Sequence, residues 1–98
     1  MTSKQRAYLR SLAMTMSPTV IIGKSGLTDS VISEVDACLE NKELIKVTLL
    51  KNSECDVVSV ANALAESTNS ILVQTVGSKI TLYRVSKKDN IKHIVLPC

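Results

Sequence analysis

The residues in this chain best suited to chemistry form one short run, Gly23-Lys24-Ser25-Gly26. It follows a β-branched stretch, Thr19-Val20-Ile21-Ile22, and precedes an amphipathic stretch that starts near residue 28. A strand that ends in Gly-x-x-Gly and opens into a helix presents amides without intrahelical partners, at the positive end of the helix dipole. Such a place favours an anion. Gly23 and Gly26 lack the Cβ atoms that would keep a sugar-phosphate chain at a distance. Lys24 supplies a mobile positive charge, and Ser25 a hydroxyl for a phosphate oxygen. Alone, two glycines three apart more often mark a tight turn. The run is not a Walker loop, which needs a longer spacing and a Gly-Lys-Ser/Thr ending, nor a dinucleotide fingerprint, which needs a third glycine.

The other cations extend this reading. Residues 1–26 carry Lys4, Arg6, Arg10 and Lys24 with no acid, whereas residues 27–43 carry five acids against Lys42. Residues 77–98 are basic again, with five cations against Asp89. If the two ends of the chain fold together, one side of the domain is basic and another acidic, and a polyanion is the natural partner. Arg6 and Arg10 are four apart and form one stripe on a helix; Lys4 points elsewhere. Arg84 follows Tyr83 on a strand, so the two face opposite ways. It could reach a phosphate or form a surface ion pair. Lys46 is expected to face solvent.

Other chemistries find little footing. The single histidine, His93, has no nucleophile or acid beside it, and the carboxylates cluster on one exposed helix face. No catalytic residue, cofactor or small-molecule substrate is assigned. Cys38, Cys55 and Cys98 are far apart and show no metal-ligand spacing, so no metal is expected; reduced thiols suit a cytoplasmic protein. No apolar run approaches the ~18 residues of a membrane span. The basic, acid-free start reads better as a folded helix than as a transit peptide.

Hydrophobic residues make up 45% of 98 residues and charged ones 21%, ordinary values for one folded domain, here read as a monomer spanning 1–98. Tyr8 and Tyr83 are the only aromatics, so the core is aliphatic and rows of stacking platforms are unavailable. Apolar spacings predict a helix over 3–14, capped by Thr2 or Ser3, and Pro18 stops its continuation. A strand over 19–22 leads into the glycine run, and a helix over 28–41 follows, with Thr28 as its cap. A strand over 44–50 alternates Ile45, Val47 and Leu49 with polar residues. A third helix runs over 54–67 with Ser53 as a cap, and Asn69 suits a left-handed C-terminal position. Strands over 71–76 and 79–85 flank a Gly77-Ser78 turn. Residues 87–98 read as a loose basic tail. The class is α/β, more narrowly α+β: the order α-β-α-β-α-β-β gives a mixed four-stranded sheet packed with three helices.

The KH domains clamp nucleic-acid backbone with a loop comparable to Gly23–Gly26. Taken whole, the chain resembles the CRM domain (chloroplast RNA splicing and ribosome maturation), above all its free-standing bacterial YhbY form. The resemblance rests on Lys4-Gln5, Leu9-Arg10, Leu12-Ala13, and Pro18 through Thr28. It continues in Glu43 through Val47, Val73-Gln74, Gly77 and Leu82-Tyr83-Arg84, covering about residues 2–97. Asn69 stands where the family usually has glycine, and Ser78 displaces a family lysine to Lys79. The resemblance implies a fold similar to the C-terminal domain of translation initiation factor three. It also implies RNA binding and association with ribosomal RNA in precursors of the large subunit. The expected RNA-binding residues are Gly23, Lys24, Ser25, Gly26, Lys4, Arg6, Arg10 and Arg84. The alternative is a protein-interaction module that reaches ribosomal particles through its acidic helix 28–41.

Overall fold

Three helices begin where a short polar side chain can satisfy the first free amides. In the computed structural model, which describes residues 1–50, 56–91 and 93–97, helix α1 spans Ser3–Ala13, α2 spans Asp29–Lys42 and α3 spans Val57–Ser67. Thr2 caps α1 in a reciprocal box: its hydroxyl accepts from Gln5 N, and the Gln5 side chain accepts from Thr2 N, both at 3.1 Å. Thr28 accepts from Val31 N at the start of α2. α3 is capped by Asp56, which accepts from Ser59 N. The expected cap of α3, Ser53, lies outside the described residues. Asn69 takes the left-handed conformation after α3 with φ 53°, as its place in the sequence suggests.

Strands β1 (Val20–Ile22), β2 (Leu44–Leu49), β3 (Ile71–Val76) and β4 (Lys79–Tyr83) form one sheet in the order β1-β2-β4-β3. β1 runs parallel to β2 through the α2 crossover, and β4 is antiparallel to both of its neighbours. The expected mixed sheet with three helices is therefore the fold observed. β4 ends at Tyr83, two residues earlier than expected, where Arg84 N turns to donate to Glu43 O.

Side-chain alternation divides the core in two. Ile45, Val47, Ile80 and Leu82 face Val35 and Leu39 of α2 and Ala61 and Leu64 of α3, all but inaccessible to solvent. On the opposite face, Leu9 of α1 packs on Leu44, Val73 and Tyr83. Each such buried aliphatic side chain contributes about 1.5–3 kcal/mol. α1 is short, so it covers only one end of its face.

The C-terminal segment is tied down rather than loose. Glu43 ends α2 with φ 64°, uncommon for a residue with a side chain, and is fully buried. Such strain costs on the order of 1–3 kcal/mol and survives where neighbours over-determine it. Here the Glu43 carboxylate accepts from Ser86 N, Ile94 N and the His93 ring, all at 2.7–2.8 Å. Burial opposes its charge, but those hydrogen bonds outweigh burial and hold its pKa below the usual value. Ile94 and Leu96 then pack beside Leu9, and Gln5 Nε2 donates to Pro97 O. The basic composition of the tail gave no sign of this, because its anchor is an acid some fifty residues away.

Candidate nucleic-acid interface

The glycine run forms a tight turn between β1 and α2. Gly26 N donates to Gly23 O at 3.0 Å, and Gly26 is buried with φ 71°, a conformation in which a side chain is strained. Leu27 packs on the core beyond it, so the turn is fixed at its far side. Lys24 and Ser25 stand exposed at its tip. Gly23 differs from Gly26. Its φ is not positive, and a Cβ built there would meet nothing within 4 Å. Neither the turn nor internal packing calls for glycine at 23.

The start of α2 offers fewer amides than its full first turn. Thr28 Oγ1 accepts from Val31 N, and Ile32 N donates to Thr28 O, leaving Asp29 N and Ser30 N as the amides neither reaches. Asp29 is exposed at the first helical position, where its charge suits the dipole and opposes an anion seated squarely on the axis. A phosphate is better placed on the Lys24 side of the turn.

The expected cations do not gather there. Arg6 is spent inside the fold: its Nη1 donates to Leu72 O at 2.7 Å and Val73 O at 2.9 Å. The β3–β4 register slips between Leu72 and Gln74, so carbonyls at that irregularity need a donor, and Arg6 supplies it. This lies on β3, the opposite edge of the sheet from the glycine turn. Arg84 is likewise engaged. Its Nη1 donates to Asp36 Oδ1 and to Thr68 O, and its Nη2 to Asp36 O and Glu40 Oε1, joining α2 to the end of α3. Only 17% of its side-chain surface is exposed. Of the two roles weighed for Arg84, the ion pair describes its place. The same bonds occupy two of the acids on which a protein-docking face of α2 would depend. Lys4 and Arg10 are exposed on α1, Lys4 in the first turn near the C-terminal segment.

Two lysines given little weight in the sequence share the sheet face on which α1 packs, beside and beyond its C-terminal end. Lys46 pairs with Thr81, and Thr81 with Gln74, making one row across three strands. Ile21, Thr48, Lys79 and Val76 make the next row across all four. Lys46 Nζ donates to Met16 O, the chain just beyond α1. The second row lies beside the glycine turn, since Gly23 follows Ile22, and Leu49 N donates to Ser78 O at the same end of the sheet. No acid stands on either row. A strand's alternation shows which residues share a face; it does not show how far a helix covers them.

The model of the CRS1 / YhbY (CRM) domain matches residues 1–84. The chain belongs to this family. Among its relatives is a Bacillus subtilis protein named Probable RNA-binding protein YqeI, 44% identical over 97 residues, with 99% of each chain covered. A maize protein, the chloroplastic group IIA intron splicing facilitator CRS1, is 28% identical over 88 residues; the match covers 86% of this chain and 12% of that much longer one. A solution structure from Staphylococcus aureus superposes with a TM-score of 0.78 at 45% identity, covering 96% of this chain and 99% of that one. The CRM fold seen here is therefore shared at high identity. Among the described residues, no group of acids, histidines and cysteines could hold a metal ion, and no helix is long and apolar enough to cross a membrane.

Proposed function

We propose that this CRM-family chain is an RNA-binding module that holds RNA backbone at Gly23–Gly26, with Lys24 and Ser25 on the phosphates. The observation that carries the reading is Gly23. Its missing side chain serves neither the turn nor the packing, but it leaves the backbone bare toward solvent beside an exposed lysine. Bare backbone is what a sugar-phosphate strand needs for close approach. Relatives named as RNA-binding proteins, and two cross-strand rows beside the turn that carry Lys46 and Lys79 and no acid, support the same partner.

The RNA is ribosomal, in precursors of the large subunit, and the protein acts as a cytoplasmic monomer that binds without turning over a substrate. This narrower part rests on the family resemblance. Its check is sedimentation of the native protein through a sucrose gradient. Co-migration with large-subunit precursors, abolished by ribonuclease, is the expected result; migration at the top of the gradient opposes it. For the turn itself, Lys24→Glu is expected to weaken RNA binding several-fold in a gel-shift titration with an unchanged circular dichroism spectrum. Unchanged affinity removes Lys24 from the interface.

A further inference from the structure

The face of the sheet beyond α1 carries a combination that the fold itself does not use. Ile21 is 63% exposed and Val76 62%, at the two ends of one cross-strand row, and Met14 at the end of α1 is 79% exposed. Between them stand the exposed Lys79 and Thr48, whose hydroxyl is buried; in the row below, the half-buried Lys46 and Gln74 stand on either side of the buried Thr81. Adjacent strands lie ~4.8 Å apart and alternate residues on one face are ~6.7 Å apart. The two rows therefore form a patch roughly 14 Å by 7 Å, walled on one side by the end of α1. Met14, Lys46, Gln74, Val76, Lys79 and Thr81 line a groove of about 240 Å³ in it.

We infer that this groove receives an unpaired base of the RNA whose backbone the glycine turn holds, an inference that rests on the RNA-binding reading above. The patch is apolar at its ends, carries Gln74, Lys46 and Lys79 as its accessible polar side chains, and is positively charged without an acid on its two rows. That matches a nucleotide, which has apolar ring faces, polar edges and an anionic link. Gln74 presents both a donor and an acceptor, the pairing that reads a base edge, and such edges are open only where the strand is unstacked. Lys79, which is exposed, takes an adjoining phosphate, and Lys46 flanks the groove with its Nζ held on Met16 O. A duplex does not fit: the groove is narrower than a helix of RNA and bounded by α1. With no aromatic side chain on the patch, base faces rest on Val76 and Met14. The gain from this contact falls below the ~1–3 kcal/mol per base of an aromatic platform, so base preference is several-fold rather than absolute.

The inference is tested by titrating nitrogen-15-labelled protein with short single-stranded oligoribonucleotides of one base each, and with a blunt-ended RNA duplex, in which every base is paired. Amide shifts at Lys46, Gln74, Val76 and Lys79 are expected with the single strands and not with the duplex. Gln74→Ala, at a partly exposed site, is expected to bring the affinities for the four bases together while the spectrum stays that of the folded protein. If the turn amides at 23–26 shift and the sheet amides do not, this inference falls and the turn reading stands. Shifts on the sheet alone keep the inference and remove the turn. If neither set moves, both fall. Sheet shifts that grow with protein concentration without RNA make the patch a self-association surface, which overturns the inference.

Discussion

Replacing Arg84 by alanine separates a structural cation from one that contacts RNA. The guanidinium makes four hydrogen bonds to three residues: Asp36, Glu40 and Thr68. They are unequal in weight. The Asp36 side chain is 54% exposed and Glu40 26%, so both carboxylates regain water when the arginine is gone, and their share is the small one of solvent-exposed pairs. Thr68 is only 2% exposed, and its carbonyl loses a 2.7 Å donor; an acceptor orphaned in that way costs ~1–3 kcal/mol. The variant should lose about 2 kcal/mol in total. For a domain of this size that lowers the melting temperature by roughly 8–16 °C. Urea and thermal unfolding measure the loss, and an RNA titration well below the transition measures binding, which should be unchanged. The reasoning is refuted if Arg84→Ala melts as the parent does while its RNA affinity falls.

Three further outcomes follow from particular contacts. Gly26→Ala places a side chain at φ 71° in a buried turn, and should cost about 1 kcal/mol, read as a lowered urea midpoint at unchanged slope. Lys24→Ala should reduce the slope of log affinity against log salt by about 0.7 for a single strand, the share of one phosphate; an unchanged slope means Lys24 meets none. The Glu43 anchor should depend on pH from both sides. Its depressed pKa means its contribution is present above its ordinary value of 4.5 and lost as pH falls through the lower folded value. The hydrogen bond to Glu43 raises the His93 pKa above 6.5, so the histidine contributes below 6.5 and loses its contribution as pH rises through the raised value. Hydrogen exchange at Ser86 N and Ile94 N should therefore be slowest, after correction for intrinsic rates, between those values.

Much of the fold was legible because it depends on local patterns. The alternation of Ile45, Val47 and Leu49, the caps at Thr2 and Thr28, the turn at Gly77 and the left-handed Asn69 each act within a few residues. The glycine turn was legible for the same reason. What the sequence concealed is set by distant partners. Arg6 and Arg10 look equivalent on a helical wheel, yet a slipped register in β3 claims Arg6 alone. Arg84 reads as a surface cation until α2 brings Asp36 and Glu40 to it from more than forty residues away. Glu43 reads as one more acid of the acidic stretch 27–43, just past the helix over 28–41, and is the buried anchor of the C-terminal segment. Lys46 and Lys79 come to one face only through the β2–β4 register, which pairs Lys46 with Thr81 and Thr48 with Lys79.

The claim on which the functional account stands is that RNA approaches the bare backbone at Gly23. Gly23→Ala tests it most directly, because its Cβ would meet nothing in the folded protein. The account predicts an unchanged melting temperature, within the ~0.5 kcal/mol of an ordinary surface substitution, together with clearly weakened RNA binding. A variant that melts normally and binds RNA as tightly as the parent would contradict it.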